Sequence, residues 1–174
     1  MGRGRGRRRP ADRGRRRQRR RQPRRRGRPA RPRRAGPAIA FQLLVYPVTD
    51  HDFSNGSYDR YGEAGLLLGR REMQWFWDHY APEEDQWAHP YATPLQADLG
   101  DLPPAYVVIA EHDPLRDEGL AYADRLAAAG VPVETRIFGD QLHVFFQLVN
   151  YFESANEAVA EAGAAVRAGL EAAG

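Results

Sequence analysis

Apolar positions along this chain follow two different periods. Residues 39–47, IAFQLLVYP, form a short and almost continuously apolar run that stops at Pro47, and PPAYVVIAEHD at 103–113 repeats the pattern. Runs of this length, rich in β-branched and aromatic side chains, predict strands covered on both faces, as in parallel sheets. VPVETRIFGD at 131–140 instead alternates and predicts a third strand. Between the first two runs, SNGSYDRYGE (54–63) is polar and reads as a loop. GRREMQWFWDHYAP (69–82) puts Met73, Trp77 and Tyr80 on one face of an amphipathic helix that ends before Pro82. Those aromatics fit a core or a pocket wall better than a cofactor site.

DPLRDEGLAYADRLAAAG (113–130) carries full helix punctuation: Asp113 as N-cap, Pro114 at the first helical position, Asp117 and Glu118 in the first turns, and Gly130 as C-cap. Leu115, Leu120, Ala123, Leu126 and Ala127 fall at helical spacing within it. A last, alanine-rich helix is expected from about Phe145 or Ser154 to Leu170. Strand and helix alternating three times implies the α/β class, a parallel sheet with helices on both faces.

Composition changes the picture at the N-terminus. Of the 26 basic residues 19 are arginines within residues 1–34, where Asp12 is the single acid; the remainder of the chain holds 7 basic against 22 acidic residues. A segment near +18 therefore precedes a body near −15, and the formal net charge of +3 describes neither. Before Ile39 there is no Leu, Ile, Val or aromatic, so residues 1–35 are expected as a disordered tail that cannot offset its chain entropy. Residues 36–174 suffice for one domain with its own core. The absence of Cys excludes disulfides and thiolate metal sites and fits a cytoplasmic protein. No apolar stretch of the length of a signal-peptide core follows the arginines, and no run is long enough for a membrane span.

In a doubly wound sheet, functional side chains gather in the loops beyond the carboxyl ends of the strands. Two such loops stand out, EHDP after the second strand and GDQLHVFF after the third. They would bring Asp113 and His143 side by side, an arrangement in which a carboxylate fixes the imidazole tautomer and the other ring nitrogen acts as a general base. Taken singly, Asp113 is explained by helix capping and His143 by an ordinary loop. His112 is the weaker neighbour, since successive strand residues face opposite ways. His51, His79 and His89 lack a carboxylate at a matching strand end, and His51 with Asp50 and Asp52 makes a poor metal site.

With AEHDPLRDEG, YADRL, AAGVPVE and the following histidine, joined to FQLLVYPVTD, WFWDHY and HPYATPL, residues 36–170 resemble the C-terminal half of the hormone-sensitive-lipase-like esterases, which are α/β hydrolases. The resemblance implies Asp113 as the triad acid, His143 as the triad base, a small ester as substrate, and neither metal nor organic cofactor. Many relatives carry glycine after that histidine; Val144 stands here. The family's oxyanion loop (His-Gly-Gly-Gly) and nucleophile elbow (Gly-Asp-Ser-Ala-Gly-Gly) are both missing. Ser54, Ser57 and Ser154 are the only serines, and none lies in such a turn. The chain as written has no nucleophile for its base to activate, so it is expected to be inactive.

The arginine-rich segment admits two readings. Shifting its codons by one frame turns CGN-type arginine codons into those for Gly, Ala, Asp or Val, and residues 16–25 then permit Gly-Asp-Ser-Ala-Gly-Gly-Asn-Leu-Ala-Ala, with serine arising from Gln18, asparagine from Gln22 and leucine from Pro23. Residues 1–34 would then be an out-of-frame copy of the nucleophile region in a GC-rich gene, in keeping with a chain that has no Lys. As a genuine arm, the segment would bind nucleic acid without sequence preference, through counterion release. Oligomeric state is not legible.

Overall fold

The computed structural model describes Met1 and residues 37–174, and the fold is that of the unit 34–174. The arginine-rich segment, with the disorder and the reading frame assigned to it, lies outside the described residues.

Three parallel strands, β1 (Gln42–Val45), β2 (Ala105–His112) and β3 (Val133–Leu142), lie side by side in that order. Gln42 pairs with Ala105 and Val45 with Val108; Ala105 pairs with Val133 and Ala110 with Phe138, after which an irregularity brings His112 opposite Leu142. Helices α1 (Gly56–Tyr61), α2 (Arg70–Tyr80) and α3 (Glu84–Trp87) follow β1. α4 (Arg116–Ala128) crosses from β2 to β3, and α5 (Glu153–Ala173) closes the chain.

β2 is central, which explains its unbroken apolar run. Ala105, Val107 and Ile109 pack on Tyr122, Ala123 and Leu126 of α4. The intervening Tyr106, Val108 and Ala110 pack on Ala155, Ala158 and Ala162 of α5, with Phe138 and Phe145. Both faces of β2 are therefore covered, and each wholly buried Val, Leu or Ile stabilises the fold by about 1.5–3 kcal/mol. The fold is the parallel sheet with flanking helices that the alternating pattern predicts, in keeping with the partial α/β-hydrolase sheet that the resemblance implies.

Several local expectations need correction. β1 is only partly buried, with Leu43 38% exposed, because β2 flanks one of its edges and no described strand the other. The third strand is shifted two residues toward the C-terminus, at 133–142, and as an edge strand among the described residues buries only Phe138 and Gln141. The stretch 54–63 is not all loop: Asn55 Oδ1 accepts the Ser57 and Tyr58 amides, which starts α1, and Tyr58 sinks into a cluster with Met73, Trp77 and Leu115. Tyr80 leaves the buried face of α2 and is 67% exposed, with its hydroxyl on the Tyr91 carbonyl. The last helix begins at Glu153, after a separate 3₁₀ turn at Phe145–Gln147.

α4 begins at Arg116 rather than Pro114, with Leu115 and not Asp113 at its N-cap position and no side-chain cap bond there, because the Asp113 carbonyl accepts the Arg116 amide three residues on and closes a turn first. Its C-terminus is a Schellman motif: the Val131 amide reaches the Leu126 carbonyl and the Gly130 amide the Ala127 carbonyl, with Gly130 at φ +85°. Ala127 faces solvent, whereas Glu118 and Gly119 lie buried near the helix start.

Candidate active site

The bend that ends β2 places Asp113 at zero exposure. Its two carboxylate oxygens have separate tasks. Oδ1 accepts the Leu115 amide at 2.8 Å and fixes the turn into α4, while Oδ2 lies 2.7 Å from His143 Nδ1. The turn bond to Leu115 and the pairing with His143 coexist in one side chain, and helix capping is not among its tasks.

His143 follows β3 directly. Val144, immediately after it, has φ +77°, a left-handed conformation that β-branched residues rarely adopt. The missing glycine is thus felt as backbone strain. Tyr46, at the end of β1 and at φ +34°, packs its ring 4.4 Å from the imidazole, inclined by 54°. With Nδ1 engaged by a carboxylate, the imidazole is held in the tautomer whose Nε2 can accept a proton.

The imidazole lines an open cavity of about 360 Å³, walled largely by apolar and aromatic groups that include Met73, Phe76, Trp77, Tyr80 and Leu115. Here the aromatics of α2 serve as both core and pocket wall: Met73 and Trp77 are buried, and Phe76 and Tyr80 form the open side. A concave, apolar space beside a polar pair is the usual form of a small-molecule site.

The other histidines are engaged elsewhere. His51 stacks on Trp87 at 4.1 Å, His79 Nδ1 meets the Trp75 carbonyl, His89 Nδ1 accepts the Tyr91 amide, and His112 lies edge-on to Tyr61. Among the described residues, no group of three or more His, Cys, Asp or Glu is placed to hold a metal ion. Ser57 is wholly buried with its hydroxyl on the Pro114 carbonyl and Asn55 Oδ1, and Ser54 is bonded to Asp52. The Ser54 hydroxyl serves a local turn, and the Ser57 hydroxyl, which also accepts the Asp117 amide, ties the start of α1 to the start of α4.

Glu118 is the residue that sequence reasoning underrated. Expected as a first-turn charge complementing the helix dipole, it is only 3% exposed. Burial pushes its carboxyl up to about 8, against which its hydrogen bonds from the Thr49 and Asp50 amides work. The clue was its spacing, since Leu115, Glu118, Tyr122 and Leu126 share one face of the helix.

The family described as alpha/beta hydrolase fold matches residues 24–147. A carboxylesterase of Mycobacterium tuberculosis is 38% identical over 141 residues, 79% of this chain and 44% of that protein. An ethyl acetate hydrolase of Pseudomonas putida is 36% identical over 121 residues, 69% of this chain and 38% of its own length. Among solved structures, a thermostable esterase of Pseudomonas putida superposes with a TM-score of 0.70 at 41% identity, covering 74% of this chain and 41% of that one. A thermophilic carboxylesterase from a metagenomic library does so with 0.73 at 36% identity, covering 76% and 46%. The chain spans less than half the length of these relatives. The match over most of its length, on a parallel sheet with flanking helices, makes this chain a member of the α/β-hydrolase family of hormone-sensitive-lipase type.

Proposed function

We propose that the chain is the acid-and-base half of a serine-dependent carboxylic-ester hydrolase. The observation that carries this reading is the 2.7 Å contact between Asp113 Oδ2 and His143 Nδ1 at the ends of neighbouring strands, beside an apolar cavity. It is supported by relatives named as carboxylesterases and as an ethyl acetate hydrolase.

In the intact reaction a serine hydroxyl attacks the ester carbonyl, His143 Nε2 takes its proton and later hands it to the leaving alcohol, and Asp113 orients and charge-balances the imidazole. The apolar cavity suits the hydrocarbon part of a short or medium acyl ester. No step calls on a metal or organic cofactor. The nucleophile comes from outside this sequence as written, because its three serines lie outside any nucleophile elbow. Its source, on this reading, is the alternative frame of codons 16–25.

Sequencing the coding DNA through codon 37 tests that source. A base gained or lost that joins Gly-Asp-Ser-Ala-Gly-Gly in frame to FQLLVYP supports it, and the restored enzyme should then hydrolyse p-nitrophenyl butyrate. A frame open as written removes the alternative-frame serine and turns attention to salt-dependent nucleic-acid binding by the arginines.

A further inference from the structure

The buried Glu118 carboxyl has no part in the proton transfers above, yet its contacts lead back to the base. Residues 46–50 leave β1 as a strap across the start of α4. Glu118 Oε1 accepts the Thr49 amide at 2.6 Å and the Asp50 amide at 3.3 Å, and Thr49 returns a hydrogen bond from Oγ1 to the Glu118 carbonyl at 3.1 Å. Thr49 is 1% exposed, and its carbonyl is taken by the Leu95 amide. One residue along α4, a Cβ on Gly119 would stand 2.7 Å from Ile109 Cδ1 of β2, so glycine lets the helix approach the sheet closely, with Pro47 of the strap in ordinary contact at 3.6 Å.

The same strap touches the site twice. Tyr46 lies with its ring against the imidazole of His143, and Val48 shares the cavity wall with it. Tyr46 holds a backbone at φ +34°, a left-handed conformation strained for a residue with a Cβ. Such a conformation persists only where its surroundings enforce it. The Tyr46 amide itself is held by the Val108 carbonyl of β2 at 2.7 Å, and the bonds from Glu118 add a second buried anchor at the third and fourth residues after it.

We infer that Glu118 is a positioning residue: it clamps the strap to α4 and so keeps Tyr46 against the face of His143, while Asp113, five residues earlier, holds Nδ1. The start of one helix thereby fixes the imidazole in two ways, by a direct hydrogen bond and through a packed loop. The function of Glu118 is to accept two amide protons in a site closed to water, so glutamine can replace it and a hydrocarbon of similar size cannot. This inference rests on the reading of His143 as the base, but its test needs no turnover.

The test is the ring signal of His143 in NMR spectra of the isotope-labelled chain, with Tyr46→Leu defining the position of an imidazole that has lost its aromatic neighbour. Glu118→Gln should leave the signal at its native position, and Glu118→Leu should move it most of the way to the Tyr46→Leu value. A native signal in Glu118→Leu overturns the inference, and so does an equal displacement in Glu118→Gln. Should Glu118→Leu fail to fold, amide exchange in the unaltered chain decides. Protection of the Thr49 amide at the level of the β2 amides supports the clamp, and exchange as fast as in an exposed loop overturns it. Loss of the esterase reading would show separately, as absent hydrolysis in the restored enzyme with these signals unchanged.

Discussion

The carboxylate of Asp113 meets Nδ1 of His143 at 2.7 Å across thirty residues of chain, with its other oxygen committed to the Leu115 amide. The pair is rigid for this reason. A carboxylate that also caps a turn cannot rotate away from the imidazole without giving up a buried hydrogen bond.

That double commitment separates two substitutions. Asp113→Asn keeps an acceptor for Leu115 and should fold normally, yet in a serine-containing version of the enzyme it should cut turnover by as much as about 10⁴-fold, the size seen when a triad aspartate loses its charge. Asp113→Ala should in addition lower stability by about 1–3 kcal/mol, the usual cost of leaving a buried amide, here that of Leu115, without its partner. Turnover assays beside thermal melts check both, and near-normal turnover in Asp113→Asn would remove that residue from the role.

The chain as written should not hydrolyse p-nitrophenyl butyrate above the buffer rate. Hydrolysis abolished by His143→Ala would contradict this and would require a nucleophile other than an elbow serine.

Glu118 predicts a pH dependence of stability. Its carboxyl titrates near the ordinary 4.5 when unfolded and is pushed up to about 8 by burial in the fold. Between those values the folded state holds a proton that the unfolded state has released, so this group's contribution falls as pH rises through the window and levels off above it. Subtracting the melting curve of Glu118→Gln from that of the unaltered chain across pH 4 to 9 isolates the effect. A flat difference would refute it.

Val144→Gly should raise stability or leave it unchanged. Relief of a left-handed β-branched residue is worth about 1–2 kcal/mol, and the extra freedom of glycine in the unfolded chain returns about 0.4–1 kcal/mol of that. A clear drop in melting temperature would show that the valine side chain contributes packing that outweighs its strain.

Two neighbours on α4 test the packing. Leu126 has zero exposure between β2 and the helix, and its replacement by Ala should cost about 2–5 kcal/mol. Ala127 faces solvent, and Ala127→Ser should shift stability by less than about 0.5 kcal/mol. Urea midpoints for the two variants make the comparison direct.

Much of this architecture was legible from one dimension. The apolar run of β2, the stop of α4 at Gly130, and the return of strand after helix are local or periodic features, and they force a parallel sheet with covered faces. Asp113 and His143 could be paired because strand ends in such a sheet converge. Where local composition was polar, as at 54–63, the reading failed, since α1 owes its existence to a cap at Asn55 and to the burial of Tyr58 under α2.

Tertiary structure alone decided which side of each residue mattered. Tyr80 and Ala127 sit at apolar spacing but face solvent, and Glu118 sits at the same spacing and is buried, because spacing marks out a helix face and what lies opposite that face decides which of its positions are covered. The strap at 46–50 became visible only when its amides met Glu118 and Tyr46 met His143, contacts between residues 69 and 97 positions apart. Sequence determined the elements and their order through short-range periodicity and turn chemistry; only the packing of distant segments determined the environment, and therefore the chemistry, of each polar group.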